Sequence, residues 1–127
     1  MFSFLKAKPE SQRNRLFRIT LHVARGTNLD MPANLLGAYV PVFVGAADHE
    51  SAARDAVSSL SKQGFEVLAI ADGKIYELDA SRWDAFVAEA WPEFVAWFPR
   101  QHEVLEKLDA GLLFTGPFAS YDSPDDV

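Results

Sequence analysis

Two segments of the chain carry the hydrophobic pattern of β-strands. Residues 16–25 alternate apolar and polar side chains, and this period of two is typical of a strand with one buried face. Residues 39–47 are apolar throughout, which predicts a strand buried on both faces. Pro41 cannot donate a backbone hydrogen bond, so this strand is expected either to begin near Val42 or to bulge at Pro41.

Helical spacing follows the second strand. Asp48 is a good N-cap, and apolar residues recur at helical spacing up to Gly64, which predicts a first helix. Ser81 and Asp84 resemble a capping box at the start of a second helix, which Pro92 is expected to kink or restart. Pro99 opens a third, short helix. The second helix carries a broad apolar stripe of Trp83, Phe86, Val87, Ala90, Trp91, Phe94, Trp97 and Phe98.

The remaining strands complete the predicted fold. Residues 65–71 and 74–78 flank Asp72-Gly73, a strong signal for a tight β-hairpin, and residues 112–115 form the last strand. From Tyr39 onward the order is β-α-β-β-α-β, which predicts an α+β fold with the split βαβ arrangement of ferredoxin-like proteins. The strand at 16–25 is added in front of it. Helices then cover one face of a mainly antiparallel sheet, and the other face is solvated, covered by an extra element, or buried in a homodimer.

Length and charge divide the chain into three parts. A chain of 127 residues supports one core, so residues 15–121 are expected to form a single domain. Residues 1–25 contain six of the 12 Lys and Arg residues and only one of the 18 Asp and Glu residues. We therefore predict a basic arm at 1–14 and an acidic tail at 122–127. The arm is either a solvated extension or a segment that docks on an acidic protein, a membrane or a nucleic acid.

Several function classes have no support in the sequence. The formal net charge of −6 argues against nucleic-acid binding as the main function. The absence of cysteine excludes disulfides and thiolate metal sites and fits a cytoplasmic location, and no apolar run is long enough to span a membrane. No phosphate-binding loop, nucleophile elbow or calcium loop occurs, so no cofactor is predicted. His102, Glu106 and Asp109 share a helix line but are expected to face water, so no metal site is predicted either.

One histidine is a candidate for chemistry. His22 lies with Arg18 on the polar face of the first predicted strand. If that face lines a cavity, His22 is a candidate acid or base, because the ordinary pKa of a histidine suits proton transfer near neutral pH. The alternative is that both residues simply form the polar outer face of an antiparallel sheet.

Other residues are candidates for partner binding. Six large aromatic residues within sixteen positions exceed what one helix face needs, so one or two of Trp83, Trp91 and Trp97 are expected to be exposed anchors while the rest pack in the core. The loop at 26–36 offers Asn28, Asp30 and Asn34, or else is a plain crossover. His49, at the junction of a strand and a helix, is either a ligand-binding residue or merely exposed.

Two functions follow from these observations. The first is a non-enzymatic protein-interaction module, such as a small acidic immunity or adaptor protein that masks a basic partner. The alternative is a small-ligand-binding protein or a small cofactor-free enzyme that uses the open sheet face of a ferredoxin-like dimer, with His22 as acid or base and Arg18 and Tyr39 beside it. The missing catalytic motifs favour the first.

Overall fold

The computed structural model describes residues 13–122, which form an α+β fold around one open sheet. Within this part of the chain the sheet has five strands in the order β3-β1-β2-β4, β5 also pairs with β2, and each pairing is antiparallel. The predicted α+β class and the mainly antiparallel sheet are therefore confirmed. The strands are β1 (Arg15–Ala24), β2 (Gly37–Ala46), β3 (Glu66–Leu78), β4 (Leu113–Thr115) and β5 (Ala119–Tyr121).

Three α-helices and three short 3₁₀ segments connect these strands in the described part. The first helix begins as predicted, because the Asp48 carboxylate accepts a 2.7 Å hydrogen bond from the Ser51 N–H. Ser81 does not cap the second helix; instead, the Asp79 carboxylate accepts hydrogen bonds from the Ser81 N–H and hydroxyl. The helices are α1 (His49–Lys62), α2 (Trp83–Ala90) and α3 (Gln101–Lys107), and the 3₁₀ segments are Ala80–Arg82, Pro92–Trp97 and Leu108–Ala110.

A large hydrophobic core lies between α1 and one face of the sheet, called the first face. Alternate residues of β1 and β2 point to this face because side chains along a strand alternate between its two sides. The helix contributes small side chains, so its backbone packs close to the sheet. The fully buried members of this core include Phe17, Ile19, Leu21, Val23, Val40, Val42, Ala52, Ala56 and Leu60.

A second core covers only one end of the opposite, or second, face. Leu16 and Phe43 of this face pack against Trp83, Phe98 and Val104, which come from α2, α3 and the connection between them. The other end of the second face carries His22 and Tyr39, which pair across β1 and β2 and are only half-buried. The second face is thus split into a covered end and a more open end.

Strand β3 corrects the predicted hairpin. The two strands expected at 65–71 and 74–78 do not fold back on each other but both pair with β1, Ile70 with Leu21 and Ile75 with Ile19. Asp72 and Gly73 have positive φ angles of 55° and 66°, as the turn signal predicts. The turn therefore forms an excursion from one long strand, because β1 is long enough to pair with both halves.

The ferredoxin-like order is not confirmed. The strand expected as an addition in front of that arrangement, β1, lies between β2 and β3 inside the sheet. Merging the two expected strands into β3 removes one strand from the predicted order. Strand β5, which no pattern in the sequence predicted, adds to the edge beside β4.

Pro41 lies inside β2 without a break in the pairing with β1. It is opposite Thr20, in regular register. The nitrogen of Pro41 faces away from β1, at the position where β4 has ended and β5 has not begun, so a backbone donor is not needed there. Neither a late strand start nor a bulge is required at this proline.

The predicted terminal segments fall largely outside the description. Residues 1–12 of the expected basic arm and residues 123–127 of the expected acidic tail lie outside the described residues. The described chain begins beside α3, where the Asn14 N–H donates to Asp109 Oδ1 at 2.9 Å and its side-chain amide donates to the Leu108 carbonyl. Between residues 13 and 122, no helix has the length and apolar character needed to cross a membrane.

Candidate functional site

The three tryptophans of the aromatic segment have very different environments. Trp83 is completely buried, and its indole N–H donates a 2.9 Å hydrogen bond to the Pro99 carbonyl. Its ring lies edge-on to Phe43, with the ring centres 5.0 Å apart. Trp91 is half-buried and packs against Phe98 at 5.3 Å. These two residues therefore belong to the second core, as the core-packing interpretation expects.

Trp97 is instead 83% exposed. Proline 92 ends the regular helix after Ala90, and the chain continues as the 3₁₀ segment Pro92–Trp97, which changes the angular spacing of its side chains. Trp97 is the last residue of this segment and projects from it. Two exposed aromatic neighbours, Phe94 and Phe118, complete what we call the Trp97 surface.

Two clefts border Trp97. One has a volume of about 370 Å³ and contains Phe94, Phe98, Pro117 and Phe118 in its wall. The other has a volume of about 490 Å³ and lies between α3 and β4, with Glu103 and Lys107 on the helix side. Trp97 and Thr115 line both clefts, so the clefts meet at these two residues.

The segment of the chain that carries Trp97 is rich in acidic residues. Residues 83–110 contain six Asp and Glu residues but only two Lys and Arg residues, Arg100 and Lys107. Two of the carboxylates also fix the local backbone. Glu103 accepts a hydrogen bond from the Arg100 N–H at the start of α3, and Asp84 accepts one from the Gln101 N–H. Glu103 also lines a cleft that contains Trp97, and Lys107 lines the same cleft.

The residues proposed for acid-base chemistry meet on the second face of the sheet. The His22 ring stacks on Tyr39 with the ring centres 4.5 Å apart, and His22 Nε2 is 2.5 Å from the Tyr121 hydroxyl. Tyr121 belongs to β5 and was not among the predicted site residues. The only feature of the sequence that could have indicated it is its residue type, tyrosine. The three half-buried rings form what we call the His22 cluster.

Arg18 lies on the same face but outside this cluster. Its guanidinium carbon is 4.5 Å from the centre of the Tyr76 ring, and its buried Nε has no hydrogen-bond partner within the described residues. A hydrogen bond from the Tyr76 hydroxyl to Asp72 raises the pKa of that tyrosine. Arg18 therefore packs on an aromatic ring rather than joining His22.

The loop candidates divide into a structural residue and two exposed ones. Asn28 is 8% exposed; its side-chain amide donates to the Gln63 carbonyl at 2.7 Å, and its carbonyl accepts from the Met31 N–H. This residue ties the loop to the end of α1. Asp30 and Asn34 are exposed, in the same loop. Asn28 and Asp30 line a cleft of about 350 Å³ together with Phe118, so they border the Trp97 surface, whereas Asn34 does not line this cleft. The structure brings none of the three to the His22 cluster.

His49 and the charged groups beside it act at the start of α1. The His49 ring packs against Phe17 at 4.7 Å, and the hydrogen bond from the Ser51 N–H lowers the pKa of Asp48. Among residues 13–122, no group of three or more His, Asp or Glu side chains is placed to hold a metal ion.

Comparisons of the chain with protein-family models, with curated proteins and with solved structures found no match.

Proposed function

We propose that this chain is a non-enzymatic protein-interaction module that binds a basic partner through the Trp97 surface. One observation carries the proposal: Trp97 is 83% exposed and stands between two clefts. Tryptophan is enriched among the residues that dominate protein–protein binding energy, because its large ring loses much apolar area to water when it is covered.

The neighbours of Trp97 strengthen this proposal. Single exposed apolar residues are common on protein surfaces, but Phe94 and Phe118 are also exposed and share a cleft with Trp97. An aromatic anchor with apolar neighbours and a more polar rim is the usual anatomy of a binding surface. Trp97 does not pack in the second core. The stability of the fold therefore does not explain why this position holds a tryptophan.

Charge favours a basic partner. The excess of carboxylates in residues 83–110 favours a positively charged surface, since complementary charges speed association and exclude wrong partners. Masking a basic surface is what a small acidic immunity or adaptor protein does. The absence of cysteine supports a cytoplasmic site of action as part of the same proposal.

The proposal is tested by affinity capture with a matched control. Leu29 is 85% exposed and does not line the clefts that contain Trp97 or Phe118, so Leu29→Ser removes an equally exposed apolar side chain outside the Trp97 surface. The wild-type chain, Trp97→Ser and Leu29→Ser are used to capture proteins from the native source, and the captured partner is then purified. We expect the dissociation constant for the purified partner to rise at least about 30-fold for Trp97→Ser, the size of a binding hot spot, and to stay unchanged for Leu29→Ser.

Two results would contradict this function. The first is equal affinity of the wild-type chain and Trp97→Ser for the partner. The second is a partner whose binding does not weaken as salt concentration rises, since attraction between an acidic and a basic surface is screened by salt.

The His22 cluster supports a second candidate function. The stacked His22 and Tyr39 rings and the Tyr121 hydroxyl place three polar aromatic groups on the open end of the second face. A homodimer that encloses this end would form a small-ligand site with His22 as acid or base. A His22→Ala variant that binds a panel of small acids and phenols as the wild type does would remove the basis of this candidate.

A further inference from the structure

The outer edge of β4 has backbone groups that the sheet does not use. The Gly45 N–H donates to the Leu112 carbonyl at 2.7 Å, and the Gly116 N–H donates to the Pro41 carbonyl at 2.8 Å. In an antiparallel ladder every second residue bonds to the partner strand, so Leu112, Phe114 and Gly116 face β2. The backbone N–H and carbonyl groups of Leu113 and Thr115 therefore point away from β2.

These outward groups lie beside a cleft. In the described part of the chain, β4 is an edge strand, and no hydrogen bond to the backbone of Leu113 or Thr115 is found from a loop or a side chain. The cleft of about 490 Å³ runs between β4 and α3, with Trp97 at one side. It meets the second cleft at Thr115, and the two together follow residues 112–118. Seven residues of extended chain span about 23 Å, enough for a typical strand.

We propose that the outer edge of β4 binds an extended basic segment of the partner, which adds to the sheet as a further strand. This inference rests on the proposed function and specifies how the partner binds. The segment exchanges backbone hydrogen bonds with Leu113 and Thr115 and places an apolar side chain against Trp97. Strand addition uses alternate side chains of the bound segment for recognition, so every second residue of the segment faces the cleft.

Charge sets the composition of the segment. Glu103 lines the cleft between β4 and α3. A neighbouring cleft shares Pro99 and Glu103 with it, and its other charged lining residues are Asp84, Glu93 and Arg100. Lys107 lines the other part of the cleft between β4 and α3 and repels a cation there. The bound segment therefore carries Lys or Arg near Glu103 and a neutral or acidic residue near Lys107. The proposed ligand of the β4 edge is this basic strand, rather than a second copy of the acidic chain.

The test separates backbone hydrogen bonding from side-chain contact. Thr115→Pro removes the outward N–H but leaves the bonds to β2, since proline is tolerated where the N–H of an edge strand faces solvent. Thr115→Val keeps the N–H and changes only the hydroxyl. The probe is a set of peptides selected on the full wild-type chain from a library of random twelve-residue peptides. We expect them to carry their apolar and basic residues at every second position, to lose at least tenfold in affinity for Thr115→Pro, and to bind Thr115→Val as they bind the wild type.

A second measurement keeps the test valid if Thr115→Pro folds poorly. The strongest selected peptide is synthesised with all interior backbone amides N-methylated, which preserves its side chains and charge but removes its donors. Amide hydrogen exchange of the free chain is also measured. We expect loss of binding by the methylated peptide, and fast exchange at Leu113 and Thr115 but slow exchange at Phe114.

Other outcomes would contradict strand addition, the role of the Trp97 surface, or both. Selected peptides that bind Thr115→Pro normally but fail on Trp97→Ser overturn strand addition and leave the Trp97 surface intact. Peptides that bind both variants normally overturn both. Slow exchange at Leu113 and Thr115 in the free chain means that the edge is already occupied. Dependence of that protection on protein concentration would identify the occupant as a second copy.

Discussion

Trp83 and Trp97 lie in one aromatic segment, yet the protein uses them in opposite ways. Trp83 is fully buried, packs against Phe43 and donates its indole N–H to the Pro99 carbonyl. Trp97 is 83% exposed and borders two clefts. The comparison shows that residue type alone does not separate a core residue from an anchor. Their local geometry differs: Trp83 lies in the regular helix α2, whereas Trp97 ends the 3₁₀ segment after Pro92 and projects away from the second core.

The largest difference in unfolding free energy should appear when Trp83 and Trp97 are truncated one at a time. We expect Trp83→Ala to lower the free energy of unfolding by about 3–5 kcal/mol, because it leaves a cavity in the second core and an unpaired Pro99 carbonyl. We expect Trp97→Ala to change it by less than about 0.5 kcal/mol. Urea unfolding followed by circular dichroism measures both. A loss of similar size in the two variants would mean that Trp97 also packs in the core.

Fluorescence quenching should sharpen the same contrast without unfolding the protein. Acrylamide quenches indoles that it can reach, and only Trp97 of the three is largely exposed. We expect Trp97→Phe to remove most of the readily quenched emission, while Trp91→Phe removes a smaller, slowly quenched part. A Stern–Volmer plot of each variant provides the measurement. Unchanged quenching in Trp97→Phe would place the exposed ring elsewhere.

The open end of the second face should show a smaller, coupled effect. Tyr121→Phe removes the hydroxyl beside His22 Nε2, and we expect a loss of about 1 kcal/mol in unfolding free energy, the usual net value of a hydrogen bond. The same substitution in a His22→Ala background should cost much less, because the partner is already absent. Equal costs in the two backgrounds would show that the hydroxyl and the ring do not interact.

The smallest effect on stability should come from Asp79, whose carboxylate caps the 3₁₀ segment just before Trp83. The hydrogen bonds from the Ser81 hydroxyl and N–H lower the pKa of Asp79 below 3.8. A carboxylate with a lowered pKa stabilises the fold above pH 3.8, and this contribution is lost as the pH falls through the lowered value. We expect Asp79→Ala to unfold at a slightly lower temperature than the wild type at pH 7, with the difference shrinking below pH 3.8.

The sequence correctly predicted the elements that depend only on residues close to one another in the chain. The period of two in β1, the apolar run of β2 and the cap at Asp48 each depend on neighbouring residues, and each agrees with the structure. The turn at Asp72-Gly73 also has the expected backbone angles. Its role was predicted wrongly because strand pairing depends on the length of β1, which lies far away in the chain.

The candidate site shows the same limit at the level of side chains. A helical stripe of aromatic residues cannot reveal which ring is exposed, since the 3₁₀ segment after Pro92 breaks the periodicity on which the stripe is based. The approach of His22 to Tyr39 follows from the register of β1 and β2, and Tyr121 reaches them only because β5 adds to the sheet edge. Strand β4 is equally short but was predicted from its apolar residues, whereas Ala119–Tyr121 follows the Gly116-Pro117 turn signal and has no apolar run that predicts β5.

The excursion at Asp72 and Gly73 makes β3 tolerant of added length. The four residues between Ile70 and Ile75 stand opposite only Thr20 of β1, so the register of the β1–β3 pairing shifts there, yet both halves of β3 stay paired with β1. Nothing lies within 4 Å of the position that a side chain at Gly73 would occupy. A short epitope or a fluorescent reporter inserted at this tip would leave the sheet, the Trp97 surface and the edge of β4 undisturbed, and would give a handle for following partner capture in living cells.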